Sequence, residues 1–246
     1  VQYVHNPSVG FQRSEYSSNP LKSLYDGFLN LLASNVFDAD LNLFNSEFTR
    51  DTYTEISGEV LYPPVKSDFY PGEKTDQVVC LGRIVRSKNI DEAIDIIAET
   101  SRDLDMVVMG RITEGTPEYY LDRLREREEK YDWLEIRTDV PQDELVEEMA
   151  KSKIGVLSTR NEHFGIAAVE YMKAGALPMV HSSGGVQSLV EKDRFTYEDV
   201  EEAAEKIDEN LENYEDLKNF VLEREKDFDV ESFREGVRKA VDSVTE

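Results

Sequence analysis

Asn161 to Gly185, NEHFGIAAVEYMKAGALPMVHSSGG, is the stretch from which the rest of the chain can be read. Just ahead of it, Gly155-Val156-Leu157-Ser158-Thr159 is a short apolar run of the kind that forms a buried strand. Phe164-Gly165-Ile166 then opens a helix whose Ile166, Ala167, Val169, Met172 and Ala176 suit packing on a sheet, and Gly175 is placed to end it. Leu177 to His181 forms the next strand, with Gly184-Gly185 at its end. The helix start offers free N–H groups and a partial positive charge, which together hold a phosphate, and Gly165 lets that phosphate approach the backbone. Glu170, further along the helix, can accept two hydrogen bonds from a vicinal diol such as a ribose. Glu162, just before the helix, falls on the far side of the phosphates, where a donor's transferred group would lie. This is the layout of a nucleotide-sugar site.

Working outward, the chain from residue 77 onward alternates regularly between strands and helices, which implies a parallel, doubly wound α/β sheet. Strands fall at Val78 to Leu81, Met106 to Met109, Leu134 to Ile136, Ile154 to Leu157 and Leu177 to Val180. Helices fit at about 90–100, 118–131, 142–152 and 164–175. Ligands of such sheets bind beyond the C-terminal strand ends. The loops there are Gly82-Arg83, Gly110-Arg111, Asp139-Val140-Pro141, Arg160 to His163 and Ser182 to Gly185. Gly110-Arg111 lacks the spacing of a P-loop. The tail after Gly185 reads as surface helices at about 198–211, 214–227 and 230–244, with Glu191 to Arg194 running almost straight into the first.

Composition narrows the classes. The chain has 246 residues, 28 Lys and Arg against 52 Asp and Glu, and a formal net charge of -24. Such a charge repels nucleic acid and slows an anionic nucleotide unless salt or local cations offset it. Acidic residues spread along the whole chain match a salt-loving archaeal proteome. Folding and activity are therefore expected to need high KCl, and an unchanged melting temperature between dilute buffer and molar salt would count against this. No apolar run nears the ~20 residues of a membrane span, and no signal peptide opens the sequence. The lone cysteine, Cys80, excludes an internal disulfide and a cysteine-based zinc site. The three scattered histidines make a poor metal site, with His163 and His181 read as structural. A cytoplasmic setting is expected.

Residues 1–66 hold only a few α/β elements. There is a strand before His5-Asn6-Pro7, another near Leu41 to Ser46, a short helix opened by Ser46 and Glu47, and a strand closed by Pro63-Pro64. Leu21, Leu24, Phe28, Leu31 and Leu32 lie at helical spacing. That helix reads as core-facing, because a membrane-surface helix usually carries more than the single basic residue, Lys22, found here. Segment 66–76, with Pro71 and Gly72, is the linker candidate.

With the FG pair between them, Glu162 and Glu170 resemble the E-x7-E signature of retaining GT-B glycosyltransferases, family 4 (group 1). Asn161 to Ile166, followed by His181-Ser182-Ser183-Gly184-Gly185, is similar more narrowly to the alpha-1,2-mannosyltransferases that extend dolichol-linked oligosaccharides. Tyr3-Val4-His5-Asn6-Pro7, Asn45 to Thr49 and Tyr62-Pro63-Pro64 resemble segments late in the family's N-terminal domain. After the double glycine the chain departs from the family, with Val186 and Ser188 where a proline and an acidic residue usually stand.

The resemblance implies a GT-B fold with three parts. These are a partial N-terminal, acceptor-side α/β segment (1–66), a Rossmann-like donor-binding domain (67–228), and a C-terminal helix (229–246) crossing back to the N-terminal segment. It further implies that Arg83 and Lys88, in the pattern G-R-x4-K, grip the donor's phosphate. The Phe164, Gly165 and Ile166 amides would contact sugar and phosphate, Glu170 the ribose, Glu162 the transferred sugar, and Val140 the nucleobase. His5 would lie near the sugar, although a structural role at a strand end is an equal reading of that histidine. The donor is expected to be GDP-mannose or a UDP-sugar, used without a metal, and the acceptor a glycan or lipid-linked hydroxyl. Peripheral contact with the inner face of the cell membrane is implied, as is a missing N-terminal half or a partner subunit. Two rivals stay open, namely a nucleotide-sugar-binding module inactive alone and a GT-B nucleotide-sugar epimerase.

Overall fold

The computed structural model describes residues 1–4, 39–53 and 56–245. His5 and the helix expected within residues 20–37 lie outside them. The chain divides into two compact units, Val1–Pro64 with Asp227–Glu246, and Val65–Lys226.

The smaller unit carries a parallel sheet of β1 (Gln2–Val4), β2 (Asn42–Phe44) and β3 (Glu59–Val60) in that order. Between β2 and β3 lies α1 (Glu47–Thr52), started by Ser46, whose hydroxyl accepts the Thr49 N–H at 3.1 Å. Val4, Phe44 and Tyr53 form its buried core. The Tyr3 ring meets Phe233 edge-to-face at 5.6 Å, and Leu61 lies where a side chain on Gly236 would stand. Both Phe233 and Gly236 belong to the last helix, Val230–Thr245, which thus packs on this sheet.

The larger unit is a six-stranded parallel sheet. Along the chain run β4 (Thr75–Arg83), α2 (Ile90–Glu99), β5 (Asp105–Arg111), α3 (Glu118–Lys130), β6 (Leu134–Thr138), α4 (Gln142–Lys151) and β7 (Ser152–Leu157). Next come α5 (Ile166–Lys173), β8 (Leu177–His181), α6 (Val186–Val190), β9 (Thr196–Tyr197), α7 (Val200–Glu212) and α8 (Tyr214–Arg224). The final helix, described above, is α9. The spatial order β6-β5-β4-β7-β8-β9 reverses direction between β4 and β7. Because parallel crossovers are right-handed, the two halves place their helices on opposite faces. The strands are buried on both sides, so they read as continuous runs: Val78, Val79, Val108, Val156 and Val180 are all fully buried. Burial also pushes the Cys80 thiol up to about 12, which keeps it an inert core thiol.

Two elements depart from the sequence reading. Glu191 to Arg194 does not run into a helix. A short α6 precedes it, and a turn anchored by the fully buried Phe195 delivers β9, a sixth strand of two residues. Segment 66–76 is more than a linker, since Lys66 to Phe69 line the cleft described next.

Candidate active site

At a reversal of strand order, neighbouring loops leave in opposite directions and open a crevice at the C-terminal strand ends. The larger unit has a cleft of 490 Å³ there, whose walls include Lys66, Gly82, Arg83, Arg111, Val140 and Glu170. Arg83 and Arg111 are register partners at the ends of β4 and β5, so their side chains leave the sheet side by side. Elsewhere in this unit Arg102, Arg123, Arg137, Arg160 and Arg224 each hold a carboxylate. Among the described residues, the side chains of Lys66, Arg83 and Arg111 have neither an ion pair nor a hydrogen bond. In a chain of net charge -24, three uncompensated cations facing one cleft suit an anion carrying more than one charge. Lys66 and Arg111 escaped the sequence reading. The signal for Arg111 was its place at a strand end beside Arg83, dismissed because no P-loop spacing accompanied it.

Glu170 projects from α5 into the same cleft. Burial pushes its carboxyl up to about 7, with Lys173 partly offsetting the effect. The group therefore titrates near neutrality and can present either a carboxylic acid or a two-oxygen acceptor.

A second cluster sits beside the first. The turn Arg86–Lys88 is tied to the end of β7, where the Ser158 hydroxyl reaches the Lys88 and Asn89 carbonyls at 3.0 and 2.8 Å. The Lys88 stem lies over Gly82, and its Nζ donates to Glu162 Oε2 at 2.9 Å. Both side chains are about one-fifth exposed, at 22% and 23%. The two residues assigned to phosphate and sugar thus hold each other as an ion pair.

The double glycine positions Glu162. Gly184 forms a bridge with Glu162, the Gly185 N–H donates to the Glu162 carbonyl at 2.7 Å, and the Asn161 N–H donates to the Ser183 hydroxyl at 2.9 Å. Behind the loop, Arg160 pairs with Glu92 at 2.6 Å, and the Tyr197 hydroxyl donates to the same carboxylate at 2.9 Å. His181 is packed edge-on against Tyr197 with its Nδ1 on Ser183, and burial pulls its pKa down. Phe164 is buried, whereas Ile166, the first residue of α5, is half exposed. Gly165 has φ +96°, and a Cβ there would fall 2.7 Å from Val186 Cγ2, so packing against α6 also calls for a glycine at this position.

The parallel sheet, in the order 3-2-1-4-5-6 counted within the unit, is that of a doubly wound α/β domain, with cations and a carboxylate at its reversal. The sequence profile of the family described as glycosyl transferases group 1 matches residues 66–227, and the chain belongs to that family. Over 218 residues it is 27% identical to the human GDP-Man:Man(3)GlcNAc(2)-PP-Dol alpha-1,2-mannosyltransferase, covering 75% of this chain and 44% of the human protein. Its Candida albicans counterpart is 45% identical over 89 residues, 35% of this chain and 15% of that protein. The chain thus aligns with less than half of each of these relatives. Among solved structures, Anabaena HepE in complex with UDP and glucose superimposes with a TM-score of 0.75 at 17% identity, covering 98% of this chain and 71% of that one. The fold is α/β, of GT-B type. Among the described residues no helix is long and apolar enough to cross a membrane.

Proposed function

We propose that this chain takes part in retaining transfer of a sugar, mannose in the first instance, from a nucleoside diphosphate donor to an acceptor hydroxyl. The observation that carries the reading is the cleft in which Lys66, Arg83 and Arg111 stand without anionic partners beside Glu170. Departure of a nucleoside diphosphate builds negative charge, and guanidinium and ammonium groups stabilise it without a metal. Arg83 and Lys88 take the diphosphate in this reading, Val140 flanks the base, and the Phe164-Gly165-Ile166 amides cover sugar and phosphate. Glu170 accepts from the ribose diol, and Glu162 lies at the transferred sugar. GDP ranks above UDP because the curated relatives are named for GDP-mannose.

Calorimetric titration of GDP, UDP and ADP against the wild type and Glu170→Gln tests this. Wild-type binding of one nucleotide, weakened roughly tenfold in the variant, supports the ribose contact, and a wild type that binds none of them sinks the reading. The pH dependence supplies a second arm. Ionised Glu170 is the better acceptor, so wild-type affinity should rise between pH 6 and 8. Glu170→Gln should keep only the part due to the nucleotide's own phosphate. Stability has the opposite sign. The raised value means that folding favours the neutral carboxyl, a contribution present below its ordinary value of 4.5 and lost as pH rises through about 7. Glu170→Gln should therefore melt later than the wild type at pH 8 and level with it at pH 4.

A further inference from the structure

Strands β4 and β7 form the walls of the crevice, and their pairing ends early. The last register pair is Val79 with Gly155, although β4 continues to Arg83 and β7 to Leu157. Amides of a parallel strand face alternate neighbours. The Ile84 N–H donates to the Arg111 carbonyl on the β5 side, so the Leu81 N–H faces β7, where the next rung would end on the Val156 carbonyl. That rung is replaced by a side chain. The Leu81 N–H donates to the Tyr171 hydroxyl at 2.8 Å, and the hydroxyl donates to the Val156 carbonyl at 3.1 Å.

A direct rung would hold nitrogen and oxygen about 2.9 Å apart, whereas a relay through one oxygen allows up to about twice that. Tyr171 is fully buried, and its ring lies against Gly155, where a Cβ would come within 2.2 Å of it. Gly155 in the middle of a buried strand is therefore the space into which the ring fits. Burial keeps the phenol neutral, so one hydroxyl serves as acceptor and donor at once.

We infer that Tyr171 is a positioning residue of the donor site: its hydroxyl wedges β4 from β7 and so sets the gap between the Gly82-Arg83 loop and the Glu162–Glu170 segment. The inference rests on the donor-site reading above. Removal of the hydroxyl leaves two outcomes, a direct rung that narrows the crevice or two orphaned backbone groups that loosen it. Both misplace Arg83 relative to Glu170.

The test is the Kd of GDP and UDP for the wild type, Tyr171→Phe and Ile207→Ala. The last truncates a fully buried side chain on α7, outside the residues that line the crevice, and should lower the melting temperature. At least tenfold weaker binding by folded Tyr171→Phe, with Ile207→Ala binding as the wild type does, supports the inference. Wild-type affinity in folded Tyr171→Phe overturns it and leaves the donor-site reading standing. Failure of the wild type to bind either nucleotide overturns the reading and the inference together. If Tyr171→Phe does not fold, amide exchange in the wild type decides. Protection of the Leu81 N–H equal to that of Val79 supports the relay, and exchange as fast as that of an exposed loop amide overturns it.

Discussion

Lys88→Met should release nucleoside diphosphate from a sugar donor about 10²–10³-fold more slowly than the wild type, the scale of losing one charge-stabilising group. Transfer to water, followed as free diphosphate, reads this without knowledge of the acceptor. The ion pair makes a second, opposite expectation. In the structure Glu162 holds the Lys88 ammonium at 2.9 Å, so a bare nucleoside diphosphate must share that cation with a carboxylate. Glu162→Gln removes the competing charge and should bind GDP or UDP more tightly than the wild type while turning over more slowly. A pair that serves only to brace the loop predicts otherwise, with both variants losing affinity. Tighter binding together with slower turnover is therefore the diagnostic result, and weaker binding by Glu162→Gln would end the assignment of Glu162 to the sugar side.

Gly184→Ala should be strongly destabilising. With φ +90° at this position, a Cβ would stand 2.5 Å from the Glu162 carbonyl oxygen and 2.6 Å from its nitrogen. Backbone on both sides cannot move away as a flexible side chain would, because the Gly185 N–H grips the same Glu162 carbonyl. A loss of about 2–4 kcal/mol is expected from strain and lost hydrogen bonding, which corresponds to a fall in melting temperature of roughly 5–10 °C. Donor binding should fall with it, since Glu162 and Lys88 move together. Gly115→Ala is the control: a Cβ there meets only the Thr113 hydroxyl at 3.8 Å. Equal melting temperatures for the two variants would contradict the pinned-loop account.

The doubly wound sheet was legible because its strands are short apolar runs buried on both faces, alternating regularly with helix-length segments. Strand β9 was not, because two residues carry no periodicity and owe their conformation to β8 beside them. The candidate site was legible where spaced charged residues stand at strand ends and resemble the family's motifs, as at Arg83, Lys88, Glu162 and Glu170. It was obscure where the function of a residue lies in what it touches. Tyr171 on a buried helix face reads as core, and only coordinates reveal its hydroxyl between two strands. Gly184 reads only as the end of a strand, yet the space it leaves is filled by the chain's own backbone. Arg111 required knowing that β4 and β5 are neighbours in register.

The reversal of strand order also bears on how the chain comes to be folded. Val79 pairs on one side with Val107 and on the other with Gly155. During synthesis the first partner emerges well before the second, so β4, β5 and β6 can assemble while the far side of β4 has no neighbour. That temporary edge is Val78-Val79-Cys80-Leu81, an uncharged run of high strand propensity, the type of segment that joins another chain in an aggregate. Asp76 and Gln77 ahead of it and Arg83 after it are the polar residues that flank the run on this strand. The border that lines the cleft in the finished protein is thus, for part of the chain's making, an edge open to misassembly with another nascent copy.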